Sequence, residues 1–199
     1  MSEPWTWIGN ENSAMQIIQQ NLSDIVEIIP KKHEDERGYF SEIFKDNWFR
    51  SNVADVVFFQ ENQSLSRSVG TIRGLHFQSE PFAQGKLVRC LAGLIFDVAV
   101  DIRRGSPTFG HWIAVELSPE KGNQLWIPAG FAHGFCTLLP DSVLCYKVTA
   151  GYSPENDLGT AWNDPSVGIE WPSVADPDTL SGKDRVQPML SDLPTYFNF

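Results

Sequence analysis

Between Phe96 and Ile102 the chain alternates. Phe96, Val98, Val100 and Ile102 share one parity, and Asp97, Ala99 and Asp101 take the other. The same period returns from His111 to Leu117, where Ile113, Val115 and Leu117 are set against Trp112, Ala114 and Glu116. Successive side chains of a strand point to opposite faces, so a period of two predicts half-buried strands. DIVEII (24–29) opens another strand, ended by Pro30, and GTIRGLHFQ (70–78) reads as a further one. Lys86 stands at the start of the next strand and Tyr146 on a late one. KKHEDERG (31–38) reads as a charged loop, and 46–54 holds a short helix. Turn signals separate the strands: RGSP (104–107), PEKGN (119–123), PAG (128–130) and Pro140–Asp141. Many short strands with this punctuation predict an all-β sandwich or barrel. The tail over 176–193 mixes Pro with polar residues and predicts a few short peripheral helices. The first 23 residues read as an extension, followed by one domain over 24–199.

Composition narrows the partners. A chain of 199 residues, 42% hydrophobic and 20% charged, is expected to form one domain with a substantial core. The formal net charge of −10 argues against nucleic acid and anionic membranes as partners. A local cluster of Arg and Lys can still hold a small anion. Cys90, Cys136 and Cys145 are odd in number and widely spaced. They suit neither a disulfide framework nor a CxxC metal site, and read as small apolar residues of a reducing compartment. The first twenty residues lack a basic region followed by an apolar one, and no run of about 18 apolar residues occurs. The cytoplasm is therefore the expected location.

The candidate chemistry starts in IRGLHFQ (72–78), which places an arginine and a histidine three residues apart in a strand. Further along, PAGFAH (128–133) resembles the PxGxxH motif of cupins, with His133 at its end. A metal cupin also carries an HxH pair on an earlier strand, because alternate positions point the same way. Here that strand reads His76-Phe77-Gln78, and glutamine seldom ligates a transition metal. The cupin fold is expected without a metal. His76 then needs another role. Alone it reads as a hydrogen-bonded core or rim histidine. Beside it stand Arg73 and Arg37 as permanent cations, Lys86 in QGKLVRC, and Tyr146 in LCYKV. A histidine, a lysine and a tyrosine aimed into one barrel mouth supply a base, an electrophile and an acid. Each also has a plainer reading: a solvated strand end for Lys86, a core tyrosine for Tyr146, surface charge for the arginines.

Taken together, DERGYFSE (35–42), FFQENQS (58–64), IRGLHFQ (72–78), AQGKLVRC (83–90), FDVAVDIRRGSPTFG (96–110), QLWIPAGFAHGF (124–135), CYKVTAGYSP (145–154), WNDPSVGIEWP (162–172) and SGKD (181–184) resemble, in order and spacing, the dTDP-4-dehydrorhamnose 3,5-epimerase family. The resemblance runs from about residue 24 to 184. It implies a cupin-type jelly-roll barrel, a homodimer, no cofactor, and a dTDP-4-keto-6-deoxyhexose as substrate. It implies His76 as catalytic base, Asp184 as its partner, Tyr146 as acid and Lys86 as stabiliser of an enolate. Asp184 also fits a capping box begun by Ser181. Arg37 and Arg73 resemble diphosphate- or sugar-binding residues, and Glu42, Gln60 and Asn62 match nucleoside-contacting positions. His133 and Lys183 resemble substrate contacts. Asp157 is a further implied substrate-binding residue, standing where a glutamate is common in the family, one methylene shorter, and Tyr152 is a second candidate for shaping the site. The implied reaction is inversion at C3 and C5 of dTDP-4-dehydro-6-deoxyglucose. Inversion of one carbon only, or sugar-nucleotide binding without catalysis, are the alternatives.

Overall fold

The structure is a computed structural model that describes residues 15–22 and 24–199. In chain order its elements are β1 (Met15–Gln19), β2 (Val26–Pro30), β3 (His33–Asp35), β4 (Gly38–Phe40), α1 (Asp46–Asn52), β5 (Gln60–Ser66), β6 (Ile72–Gln78), β7 (Lys86–Ala92), β8 (Ile95–Asp101), β9 (Trp112–Leu117), β10 (Gln124–Ile127), β11 (Phe131–Thr137), β12 (Ser142–Val148) and β13 (Asp157–Gly159). Three short 3-10 helices follow, at Pro177–Thr179, Asp184–Val186 and Leu190–Asp192. One sheet runs β1-β2-β10-β7-β12-β5, and the second runs β13-β6-β11-β8-β9. Every pairing between these strands is antiparallel. Sequence neighbours are often not sheet neighbours, and the result is the expected all-β, cupin-type jelly roll.

The main core lies between the sheets. Val88, Leu125, Ile127 and Leu144 of the first sheet pack against Ile95, Ala99, Ile113, Leu117 and Phe135 of the second. The alternation in β8 has a different meaning from the one its pattern suggests. Val98 and Val100 face outward, where Val167, Leu190 and Leu193 of the C-terminal segment cover them. Asp97 and Asp101 face the barrel interior and are fully buried. A strand with both faces covered is buried throughout, so here the polar parity marks the inside of the barrel rather than solvent.

Outside the first sheet, Phe49 of α1 packs edge-on against Phe58 and Trp126, with ring centroids 5.2 and 5.3 Å apart. Met15 of β1 joins that cluster. The expected boundary at residue 24 therefore falls after a strand, since β1 pairs with β2 from Met15–Pro30 to Gln19–Val26. Residues 1–14 and Ser23 of the expected extension lie outside the described residues. Residues 33–38 of the expected charged loop over 31–38 instead belong to the β3–β4 hairpin, which continues to Phe40. All six of its strand residues are exposed, so no apolar periodicity announces it.

Candidate active site

His76 and Arg73 reach the same cavity because β6 carries a bulge. His133 of β11 pairs with His76, and Phe135 pairs with Arg73, so β6 holds one residue more than its partner between these pairs. A bulge of this kind turns residues three apart to one side. The extra residue includes Gly74, at φ 113°, where a side chain would be strained and a Cβ would lie 2.6 Å from the Gly134 Cα. Gly134 in turn faces the Arg73 carbonyl. Two glycines thus let β6 and β11 approach closely at the point where the functional side chains emerge.

His76 is half-buried, and its Nε2 lies 2.6 Å from Oδ1 of Asp184. Asp184 is buried at the start of a 3-10 helix, and its backbone N–H donates to Ser181 Oγ. The capping-type bond and the contact with histidine coexist. Burial raises the Asp184 carboxyl, but hydrogen bonds from His76, Ser181 and Gly74, with the charge on His76, hold it below the usual range. Asp184 is therefore an anion at neutral pH, fit to orient the ring and stabilise an imidazolium.

Lys86, at the first position of β7, donates from Nζ to the His76 carbonyl at 3.3 Å. Burial pushes its ammonium down to about 8, against the opposing charges of Asp157 and Asp97. Tyr146 comes from β12 in the opposite sheet to His76. Burial, followed by the charge of Asp157, raises its phenol, which keeps the proton at neutral pH. His133 is buried, and its Nε2 lies 2.9 Å from Oδ2 of Asp97. Burial pulls the imidazole down, outweighing Asp97, so the ring is neutral near pH 7. Asp97 is a partner that the sequence reading missed; its place in the polar parity of β8 was the available signal.

These side chains line two joined clefts. One, of about 330 Å³, includes Arg73, His76, Lys86, His133, Tyr146 and Asp184. The other, of about 450 Å³, includes Gln60, Asn62, His76, Lys86, Tyr146, Tyr152 and Asp157. His76, Lys86 and Tyr146 border both. The Asp157 carboxylate pairs with Lys183 Nζ at 2.5 Å and accepts from the Tyr152 hydroxyl at 3.3 Å. Arg37 and Glu42 are not among the residues lining either cleft. Arg37 sits on the exposed hairpin, paired with Asp35 at 2.6 Å. Gln78 donates to the Phe82 and Gly151 carbonyls and accepts from the Ser153 N–H. Its amide is spent on backbone, which suits a structural residue rather than a ligand.

A family model described as dTDP-4-dehydrorhamnose 3,5-epimerase matches residues 19–192. A curated relative of that name from Sinorhizobium fredii is 56% identical over 191 residues, covering 96% of this chain and 97% of the relative. Another from Salmonella typhimurium is 48% identical, covering 88% of this chain and 96% of its own. A solved structure from Legionella pneumophila, of a dTDP-6-deoxy-D-glucose-3,5-epimerase in complex with dTDP-4-keto-L-rhamnose, superposes with a TM-score of 0.87 at 42% identity. That match covers 93% of this chain and 98% of the other. A 3'-monoepimerase from Streptomyces bikiniensis in complex with dTDP-quinovose gives 0.80 at 32% identity, covering 87% of each chain.

Proposed function

The chain belongs to the dTDP-4-dehydrorhamnose 3,5-epimerase family, and from that membership we propose that it inverts C3 and C5 of dTDP-4-dehydro-6-deoxyglucose to give dTDP-4-dehydro-L-rhamnose, without a cofactor. One observation carries the mechanism: His76 and Tyr146 enter one cleft from opposite sheets, with Lys86 beside them. The C4 ketone acidifies the protons at C3 and C5. His76 removes one of them, and the electron pair moves onto the C4 oxygen as an enolate. The Lys86 ammonium stabilises that oxygen, and Asp184 stabilises the imidazolium. Tyr146 then delivers its proton to the opposite face of the carbon, and the site regains its starting protonation through solvent. The same groups serve the second carbon after the ring moves.

Arg73, His133, Gln60 and Asn62 are assigned to holding the diphosphate, sugar and nucleoside. Arginine suits phosphate because its planar fork makes paired charge-assisted bonds. Arg37 and Glu42 join this set only if a second copy brings its hairpin to the cleft. The exposed Tyr39, Phe40 and Ile43 on that arm favour such a homodimer. Three buried free thiols suit the cytoplasm as the place of action.

The test is proton NMR of the reaction in D₂O. The native chain should place deuterium at both C3 and C5 of the recovered sugar. Tyr146→Phe should still exchange, through return on the histidine face, while its yield of inverted sugar falls far more. Deuterium at C3 alone in the native chain would make it a single-carbon epimerase. No exchange at either carbon would leave only nucleotide-sugar binding.

A further inference from the structure

Arg73 is held without being neutralised. Its Nε donates to the Ser66 hydroxyl at 3.0 Å, and its Nη2 donates to the Leu65 carbonyl at 3.2 Å. Both acceptors belong to β5, the edge strand of the first sheet, whereas Arg73 lies on β6 of the second. The two bonds thus cross from one sheet to the other beside the cleft that Arg73 lines. Ser66 is buried and fixed by pairing with Ser142 of β12, while Arg73 itself is exposed. Among the described residues, Arg37, Arg50, Arg67, Arg89 and Arg103 each pair with a carboxylate, and Arg73 does not. Arg104 and Arg185 also meet only carbonyls, but they line neither cleft.

A guanidinium carries five N–H donors in one plane. The bonds to β5 use Nε and one hydrogen of Nη2. The end of the fork formed by Nη1 and Nη2 keeps free donors and the whole charge. An aspartate at position 66 would hold the fork as well, but it would cancel that charge. A hydroxyl and a carbonyl fix its direction and leave the charge for an incoming anion. The same charge reaches the Tyr146 phenol, where it works against burial and Asp157.

Resting on the reading of Arg73 as a diphosphate-binding residue, we propose that Ser66 is a positioning residue for substrate affinity: with the Leu65 carbonyl it pins Arg73 so that the Nη1–Nη2 end of the fork meets a phosphate of the nucleotide sugar. Ser66 acts on the ligand only through Arg73. An exposed arginine gives up rotamer freedom when it grips a ligand, and pinning it beforehand removes that cost. The effect therefore belongs to binding and not to proton transfer.

The experiment is calorimetric titration of the full-length chain with dTDP, together with kcat and KM for solvent-deuterium exchange. The set is the native chain, Ser66→Ala, Ser66→Cys, Ser66→Thr, Arg73→Gln, and Ser66→Ala combined with Arg73→Gln. Cysteine nearly keeps the volume of serine with a weaker acceptor, so it reports even where the alanine variant does not fold. Ser66→Ala and Ser66→Cys should raise the dTDP Kd and the KM about 10-fold, the order set by a hydrogen bond to a charged group, with kcat within about two-fold of native. Ser66→Thr, which keeps the hydroxyl, should retain most of the affinity. In the Arg73→Gln background Ser66→Ala should add no further loss, because effects that act through one group are not additive. A native Kd in both Ser66→Ala and Ser66→Cys would overturn the role of Ser66 alone. So would an equal fall in kcat, a full further loss in the combined variant, or a Ser66→Thr as weak as Ser66→Ala, each of which would make Ser66 a packing residue. Unchanged affinity in Arg73→Gln would remove Arg73 from the diphosphate site, and the role of Ser66 with it. A native chain that does not bind dTDP would overturn the nucleotide-sugar reading itself.

Discussion

Lys86 carries the charge that the enolate needs, and it does so in a place that opposes charge. Its ammonium is buried and falls to about 8. The cationic form is therefore dominant below that value and is lost as pH rises through it. Enolate stabilisation should disappear with it, so kcat for exchange should decline from the neutral plateau with a midpoint near 8. Losing one stabiliser of a developing oxyanion typically costs about 10²–10³ in kcat, which sets the depth of the decline. Lys86→Arg gives the check, because guanidinium stays charged throughout. Its profile should show no decline at that pH, whatever its plateau. A decline that persists unchanged in Lys86→Arg would assign the titration to another group. The neighbouring charges fit the balance the site requires: Asp157 and Asp97 hold the ammonium up, and Lys183 works against them.

The approach of β6 to β11 is what brings Arg73, His76 and His133 to one cavity, and glycines set it. A Cβ on Gly134 would lie 2.7 Å from the Arg73 carbonyl and 3.0 Å from Leu75 Cδ2. Backbone on one side and a fully buried leucine on the other leave little room to yield. Gly134→Ala should lower the urea midpoint by an amount worth about 1–3 kcal/mol, the usual cost of overpacking a filled interior. Gly151→Ala, where no atom lies within 4 Å of the added Cβ, should stay within about 0.5 kcal/mol of the native chain. Equal midpoints in the two variants would show that this contact does not set the separation. Such packing detail was not legible in the sequence, although the strands themselves were. Alternation gave β8 and β9 to within a residue or so, and Gly and Pro marked the turns. The β3–β4 hairpin escaped because its strand residues are all exposed and show no apolar period, and β1 escaped because MQIIQ is short and sits before a polar stretch. Asp97 escaped for a subtler reason. An aspartate opposite a row of valines looks solvated until the C-terminal segment covers the valines and leaves the aspartate inside.

The assembled chain leaves a mismatch between the residues that the resemblance gathers and those that one copy brings together. His76, Asp184, Lys86, Tyr146, Arg73 and His133 meet around one cleft, whereas Arg37 stands on an arm with every strand residue exposed. An arm that carries Tyr39 and Phe40 at 59% and 68% exposure invites a second copy to cover it. Two-fold dimers are the commonest closed assembly and present the same surface from both sides. If each arm reaches the other copy's cleft, a complete site takes His76 from one chain and Arg37 from its partner. Light scattering at micromolar concentration should then give about twice the 22.4 kDa chain mass. Subunit mixing tests the exchange of arms directly. His76→Ala dimers lack the base in both sites, and Arg37→Ala dimers lack the arm's cation in both. Unfolded together and refolded as a mixture, they should yield mixed dimers in which one site has a native His76 and a native Arg37 from the other chain. Epimerase activity in the mixture should exceed the sum of the separately refolded parents. If Arg37 instead served the cleft of its own chain, the mixed dimer would hold one site lacking His76 and one lacking Arg37. The mixture would then show no gain over its parents, and a monomer mass would rule out the shared site altogether.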